Sequence, residues 1–400
     1  MKDLNRIRFN IGIGWFGLIL CIGLLDLPYR YYLKDNFKLS PSAMAWFFAI
    51  ANIPTYTKPL IGFFTDTIRI WGTKRKYYLI LGLLICSVLY FSLGYASTIN
   101  NALANYFSLS IFQILLSIIL GALIVEYGKK YQITGGLSAL RVAVIKIAGI
   151  IVGPIGGYLA IKTINISTSI CALLTLLLIP IYLFTFKENR VKNEKAKFLP
   201  EIKLQFQNLL KSKALLLAAL LIFLLKISPG FGTPLFYHQT DTLKFSSEFI
   251  GILSSIIAIG GIIGAVIYNF VCKSLNLRTL LFFSITIDAL DSLIYLGYNT
   301  HISAIIITTI NGITGILAVL PLYDLSARAT PNKSESLGYA LMLSVWNLAD
   351  SISDVIGSKL YDNYHWQFQD LIWINTITTA SILIFIPMLP KNVLLFTDKK

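Results

Sequence analysis

The chain alternates between long apolar runs and short polar connections, and this alternation gives the first structural prediction. Each apolar run is close to 20 residues long, about the length that crosses a bilayer as an α-helix. Twelve runs occur, at 11–30, 42–63, 77–97, 105–127, 138–161, 166–186, 214–237, 248–270, 279–298, 302–325, 337–360 and 371–390. The pattern predicts an all-α membrane protein with twelve transmembrane helices, for which the lipid bilayer is the solvent.

One long polar insertion interrupts the pattern at 187–213 and carries eight basic and three acidic residues. It divides the chain into an N-terminal six-helix half at 1–186, a cytoplasmic basic linker, and a C-terminal six-helix half at 214–400. This is the layout of a 6+6 bundle, in which a secondary transporter binds substrate near the bilayer midplane.

The distribution of Lys and Arg predicts the orientation, because cytoplasmic loops carry an excess of both residues. With the N-terminus placed in the cytoplasm, the cytoplasmic side holds 24 of the 34 basic residues and the outer side holds six. We therefore predict a multi-pass protein of the cell (inner) membrane, with both termini and the linker in the cytoplasm. The N-terminus has no small-residue cleavage site, so we expect the first helix to be retained.

The composition supports the membrane class and excludes several others. Charged residues make up 13% of the chain, against about 25% in soluble domains. The net charge of +15 is spread over the connections, so we do not expect nucleic acid as a partner. The four cysteines have no metal or disulfide spacing, the three histidines fall in predicted outer loops, and no Walker A sequence occurs. We expect no metal, no cofactor and no catalytic residues.

The segment between the second and third runs carries the most specific motif. It reads Gly62-Phe63-Phe64-Thr65-Asp66 and then Gly72-Thr73-Lys74-Arg75-Lys76. This turn resembles the loop between helices 2 and 3 of the major facilitator superfamily. The wider segment, YYLKDNFKLSPS at 31–42 followed by TKPLIGFFTD at 57–66, is similar to the signature of the folate–biopterin transporter family. Segments at 149–157, 227–237 and 326–351 are similar to the same families.

The resemblance implies a secondary active transporter, not an enzyme, that moves a folate or pterin by alternating access. Symport with protons is the coupling that we expect. Two alternatives stay open from the residues alone. The same fold could carry another small metabolite, nucleoside-like or derived from an amino acid, or the chain could be a membrane receptor that transports nothing.

Charged side chains inside the predicted spans are the candidate site residues, since each costs roughly 2.5–3.5 kcal/mol unless it meets a partner or water. Lysines suit the two carboxylates of a folate tail, and an aspartate suits the amino-pyrimidine edge of a pterin. The candidates for substrate binding are Lys58, Lys146, Lys226, Asp26 and Asp350. A structural ion pair at Lys226, and a Lys58 side chain that reaches the interface, are the alternatives.

Two carboxylate pairs are candidates for proton coupling, because close carboxylates in a low dielectric do not both ionise easily. Asp288 and Asp291 are spaced i, i+3, and Asp350 and Asp354 are spaced i, i+4. In the superfamily, helix 9 usually lies outside the central cavity, so the first pair could instead contact neighbouring helices. The candidates for gating are Gly62, Asp66, Arg75, Glu126 and Arg141, with a structural pair or inner gate expected for Glu126 and Arg141.

Overall fold

The structure is a computed structural model that describes residues 2–188, 206–272, 274–331 and 334–390. Apart from one isolated bridge between Ile70 and Thr73, the regular structure in these ranges is helical. The α-helices are α1 Lys2–Asp35, α2 Pro41–Ala51, α3 Ile53–Tyr56, α4 Lys58–Thr67, α5 Lys76–Leu93, α6 Ile99–Tyr131, α7 Thr134–Leu159, α8 Ile164–Thr185, α9 Lys213–Lys226, α10 Gly232–Tyr237, α11 Ser247–Val271, α12 Leu277–Ile294, α13 His301–Ala329, α14 Glu335–Asp362 and α15 Phe368–Ser381. A π-helical turn at His238–Thr242 and 3₁₀ segments at Tyr295–Gly297 and Ile382–Met388 extend α10, α12 and α15.

Nine helices in the described ranges are long and apolar enough to cross a membrane. The all-α, multi-span prediction is therefore confirmed, whereas the count of twelve depends on three further runs. The runs at 42–63 and 214–237 are broken into shorter helices, and the run at 337–360 forms the continuous but more polar α14. The charges of Asp350, Asp354 and Lys359 give α14 its polarity.

The second predicted span breaks twice because two prolines fall inside it. Proline has no backbone N–H, and its ring clashes with the carbonyl group one turn earlier, so it interrupts a helix. Pro54 and Pro59 accordingly lie in the first turns of α3 and α4, just after the breaks at Asn52 and Thr57. Lys58, the charged residue of this span, therefore begins a new helix next to a break.

The chain forms two compact units. The first comprises Met1–Lys38, Ile50–Ala196 and Ser247–Ser255. Within it α1 packs against α7 and α8, and α5 packs against α6 and α8. The first turns of α11 pack closely on α7, where a Cβ on Gly157 would lie 2.7 Å from the carbonyl oxygen of Ser247. Glycine is required at this approach.

The second unit comprises Leu39–Ala49, Lys197–Ser246 and Ile256–Lys400. Its apolar core joins α9, α12, α13 and α14 through buried residues such as Leu221, Leu281 and Leu322. The start of α2 belongs to this unit, because Ser42 donates a 2.5 Å hydrogen bond to the carboxylate of Asp362 at the end of α14.

The division of the chain into residues 1–186, 187–213 and 214–400 is based on the sequence alone, and it stays a prediction. Most of the linker, residues 189–205, lies outside the described residues.

The expectation for the histidines is wrong at one position. His238 is buried and its ring stacks on Phe368 at 4.4 Å, because the π-helical turn continues α10 instead of opening into a solvated loop. Cys21, Cys86 and Cys171 are buried, and no disulfide is found in the described ranges.

Candidate functional site

The seventh predicted span is broken in the second unit, between the end of α9 at Lys226 and the start of α10 at Gly232. Pro229 has no N–H to donate, so the helix cannot continue through it. Neighbouring helices satisfy the exposed backbone groups. Ser353 accepts a 3.1 Å hydrogen bond from the N–H of Gly230, and the amide of Asn375 donates a 2.9 Å bond to the carbonyl oxygen of Pro229.

Asp354 holds the other side of this break. Its carboxylate accepts hydrogen bonds from the backbone N–H of Thr233 at 2.8 Å and from the Thr233 hydroxyl at 2.6 Å. A side chain in this role caps the first turn of α10, whose N–H groups have no partner within the helix. A proton carrier has to release its proton and its partners, so this capping role sets Asp354 apart from Asp350.

Lys226 lies at the end of α9, directly before the break. Its ammonium group stands over the ring of Trp346 in α14, 4.6 Å from the ring centroid. Trp346 in turn contacts Tyr323 of α13, with 5.3 Å between ring centroids. Among the described residues Lys226 forms no ion pair, so the structural pair considered from the sequence is not found there.

Asp350 lies one turn after Trp346 on the same face of α14, which residues spaced i, i+4 share. Its side chain is exposed, and it lies within electrostatic range of Lys226, Asp354 and Asp288. A cation, two aromatic rings and a carboxylate are therefore grouped beside a helix break. Such a group of side chains can stack on a flat ring, and its carboxylate can accept hydrogen bonds or a proton.

The second carboxylate pair is arranged differently. Asp291 is buried in α12 and accepts hydrogen bonds from Asn311 and, at 2.6 Å, from Thr314, both on α13. These bonds match the alternative considered from the sequence, in which this pair contacts a neighbouring helix. Asp288 is half-buried, and no hydrogen bond or ion pair to its carboxylate is found among the described residues.

In the first unit the candidate cations lie on α4 and α7. Lys58 is half-buried at the start of α4, and Lys146 is half-buried on α7. Arg141, five residues before Lys146 along α7, is exposed, and its guanidinium carbon lies 4.1 Å from the ring centroid of Trp15 on α1. Asp26 is exposed on α1 and pairs at 3.2 Å with Arg30, one turn further on.

The basic turn between α4 and α5 is held by two acidic residues. Glu126 of α6 accepts from the guanidinium of Arg75 at 2.8 Å and from the ammonium of Lys74 at 3.0 Å. Glu188 accepts from the backbone N–H groups of Lys74, Arg75 and Lys76, at 2.8–3.0 Å. The partners of Glu126 that the structure describes therefore lie in this turn. The backbone of Gly72 takes a positive φ of 76°, which favours glycine there.

Two gating candidates remain beside this turn. Gly62 lies on α4, and a Cβ added there would be 3.7 Å from Ile118, which is an ordinary van der Waals distance. The side chain of Asp66 lies outside the described residues. A groove of about 720 Å³ also runs between α1 and α7 in the first unit, but among the described residues that line it Arg8 is the one with a polar side chain. We do not place substrate in this groove.

Comparison with protein families decides the classification. The model of the BT1 family matches residues 20–398, which is nearly the whole chain. The chain belongs to the BT1 family. The resemblance found from the motifs is therefore confirmed.

Curated relatives of this BT1-family protein carry transporter names. The chain is 30% identical over 396 residues to the "Folate-biopterin transporter" of Synechocystis, covering 92% of this chain and 78% of that protein. It is 27% identical over 355 residues to "Folate transporter 1" of Plasmodium falciparum, covering 84% of this chain and 69% of the relative. The BT1-family protein is a transporter and not an enzyme.

Solved structures show the fold. The nucleoside transporter NupG aligns with a TM-score of 0.71 at 14% identity, covering 96% of this chain and 98% of that one. A D-xylose–proton symporter aligns with a TM-score of 0.73 at 14% identity, covering 98% of both chains. At this identity the likeness shows the fold alone. It confirms a helical bundle of the major facilitator type. The nine apolar spans in the described ranges and the transporter relatives make the BT1-family protein an integral, multi-pass membrane protein.

Sequence reasoning missed three residues of these sites in the BT1-family protein. Trp346 and Tyr323 sit in apolar runs, where an aromatic residue is usually a core residue. The i, i+4 spacing of Trp346, Asp350 and Asp354 was the available signal, because it places all three on one face of α14. Glu188 gave no signal, since an acidic residue in a charged linker ordinarily faces water.

Proposed function

We propose that this BT1-family protein carries a folate or a pterin across the membrane by alternating access, in symport with protons. The names of its relatives supply the substrate class. The positive-inside count supports both termini in the cytoplasm and the cell (inner) membrane as the location. We also keep the division into two six-helix halves joined by the linker at 187–213.

The observation that carries the proposal is the group of side chains at the broken seventh span. Trp346 and Tyr323 offer aromatic faces, and aromatic pairs contribute about 0.5–1.5 kcal/mol beyond the area that they bury. Asp350 is an exposed acceptor one turn away from Trp346. A pterin has a flat ring system and a row of N–H donors on its amino-pyrimidine edge, so both of its recognition features have a counterpart in this group.

The remaining substrate candidates are proposed for the first unit. Lys58 and Lys146 are half-buried cations in a membrane helix, where an unpaired charge is costly and is usually functional. Asp26 is the weakest of the set, because Arg30 already pairs with it. We expect Lys58 and Lys146 to contact an anionic part of the substrate.

For proton coupling we favour Asp350 over the other carboxylates. Asp354 and Asp291 are held by hydrogen bonds from neighbouring helices. Asp350 and Asp288 have no such bonds among the described residues. Protonation of Asp350 removes its attraction for Lys226, which changes the charge of the site by one unit during a transport cycle. The turn held by Glu126, with Gly62, Asp66, Arg75 and Arg141, is proposed as the gate.

Uptake into vesicles tests the function. We expect labelled folate and labelled pterin to enter vesicles that contain the protein, and an inward proton gradient to increase the rate. Unlabelled folates and pterins should compete, whereas nucleosides and amino acids should not. Competition by nucleosides alone would support the same fold with another substrate. Binding without uptake would support a receptor.

A further inference from the structure

The groove between α1 and α7 has no role in the proposed transport cycle. Its volume is about 720 Å³, and the described residues that line it all belong to the first unit. Phe9, Ile13 and Phe16 line it from α1, and Ala139, Ala143 and Ile147 line it from α7. We call this feature the α1–α7 groove. Its lining is apolar except at Arg8, so its natural occupant is largely apolar as well.

Arg8 lies at one end of the α1–α7 groove. The two helices run in parallel, because Gly12 lies beside Leu140 and Gly23 lies beside Val152. A Cβ added to these glycines would be 3.8 Å from the first partner and 2.6 Å from the second. Followed back from Gly12, this register places Arg8 beside the first turn of α7. The groove therefore begins at a positively charged end and continues along an apolar surface.

The length of the α1–α7 groove matches one leaflet of a bilayer. Its lining on α7 extends from Gly136 to Ile147, a rise of about 16 Å at about 1.5 Å per residue. One leaflet supplies half of a hydrocarbon core that is about 30 Å thick. Phe9 is 49% exposed and Ile147 is 51% exposed, so the described side chains leave the groove open. An acyl chain that starts at the interface beside Arg8 fits this length.

Further positive charge lies at the same ends of these helices. The last turn of α6 carries Lys129 and Lys130, both exposed, and two residues separate α6 from α7. Glu126, on the same helix, is engaged by Lys74 and Arg75. Basic pockets between membrane helices bind anionic lipid headgroups, and an arginine can bind a phosphate group through two parallel hydrogen bonds. The charge at this end therefore complements an anionic headgroup.

We propose that the α1–α7 groove binds one anionic phospholipid, with its phosphate group at Arg8 and one acyl chain along the groove. A zwitterionic headgroup brings no net negative charge to the basic end. A soluble anion without an acyl chain leaves the apolar lining exposed to water, which is unfavourable. The lipid site uses none of the residues proposed for substrate binding, so it does not depend on the identity of the substrate.

Photolabelling of the protein in phosphatidylcholine nanodiscs tests the lipid site. Phosphatidylglycerol with a diazirine in one acyl chain is compared with phosphatidylcholine that carries the same label, and mass spectrometry locates the labelled peptides. At 8–16 and 136–147 we expect the phosphatidylglycerol label to exceed the phosphatidylcholine label by about fivefold, the contribution of one basic residue to binding an anionic lipid. Arg8→Ala should remove this preference, and Arg8→Lys should retain most of it.

Two further variants separate charge from shape. Lys162→Ala removes one positive charge from an exposed residue just beyond the other end of α7, where Lys162 contacts the ring of Tyr158. This control should leave the preference unchanged. Ala143→Phe keeps Arg8 and fills the groove, because Ala143 is exposed and lines it. The phosphatidylglycerol label at both segments should then fall to the level of the phosphatidylcholine label.

Four results would overturn the lipid site. The first two are equal labelling by both lipids in the wild-type protein and a preference that survives Arg8→Ala. Displacement of the label by folic acid would assign the groove to the substrate. A dimer in detergent that Ala143→Phe dissociates would assign the groove to a second copy of the chain. A protein that keeps the lipid preference but takes up neither folate nor pterin would contradict the proposed function alone.

Discussion

Gly357 is the position at which a single methyl group should disrupt the broken seventh span. It lies on α14, and a Cβ at this position would overlap the carbonyl oxygen of Gly230 and come within 2.7 Å of its carbonyl carbon. Backbone atoms on both sides form this contact, so no flexible side chain can move to make room. The substitution Gly357→Ala must therefore push α14 away from the break.

The cost follows from the contacts that this movement breaks. Overpacking costs about 1–3 kcal/mol, and each lost hydrogen bond adds about 0.5–1.5 kcal/mol. Two backbone N–H groups of the break donate to α14, from Gly230 to Ser353 at 3.1 Å and from Thr233 to Asp354 at 2.8 Å. Together they predict a destabilisation of about 2–6 kcal/mol for Gly357→Ala.

Thermal unfolding followed by size-exclusion chromatography measures this effect on the protein in detergent. Gly315→Ala is the matched control, because Gly315 lies in a helix of the same unit and an added Cβ meets nothing within 4 Å. We expect Gly357→Ala to lower both the Tm and the rate of uptake, and Gly315→Ala to lower neither. Equal Tm values and equal uptake for the two variants would refute the packing argument.

Four further predictions concern coupling, the basic turn, acid stability and topology. Asp350→Asn should abolish accumulation driven by a proton gradient while exchange without a gradient continues; loss of both would remove Asp350 from coupling. Arg75→Ala should reduce the yield of folded protein more than Arg75→Lys, because removal of the buried guanidinium takes away a positively charged partner of the Glu126 carboxylate. Equal yields for the two variants would contradict this. Burial raises the pKa of Asp362, but hydrogen bonds from Ser40 and Ser42 outweigh this effect and lower the pKa below its ordinary value. The carboxylate therefore stabilises the fold above its unfolded-state pKa, and this stabilisation is lost as the pH falls through the folded-state pKa; Asp362→Asn should lower the Tm at neutral pH and make the Tm fall less in acid. Labelling of Lys195→Cys from outside intact cells should fail, and efficient labelling would reverse the predicted orientation.

The spans and the breaks could largely be predicted from the sequence, since they depend on local properties. Run length and hydropathy locate the helices, and Pro229 with Gly230 marks the broken seventh span. The same reasoning underestimates the effect of Pro54 and Pro59 on the second span. The apolar run at 42–63 is long enough to cross the bilayer, but its helix breaks where these two prolines lack a backbone N–H group. Local chemistry decides these features, so one sequence is enough to find them.

The partners of charged residues could not be predicted in the same way. Similar depth made Arg141 a reasonable neighbour for Glu126, yet Glu126 contacts Lys74 and Arg75 because the turn between α4 and α5 folds against α6. Trp346 was missed for a related reason, since the face that a helix turns towards its neighbours is set by tertiary packing. To predict pairings of this kind, one has to know how at least two helices are placed in space.

Counterflow in proteoliposomes tests the central claim most directly. Purified protein is reconstituted with unlabelled pterin inside, and labelled pterin or labelled folate is added outside without any ion gradient. A carrier for these compounds should accumulate the label transiently by exchange, and Trp346→Ala or Asp350→Asn should change its affinity for the pterin. Absence of exchange for both labelled compounds, from protein that remains folded, would contradict the claim that this chain transports folates or pterins.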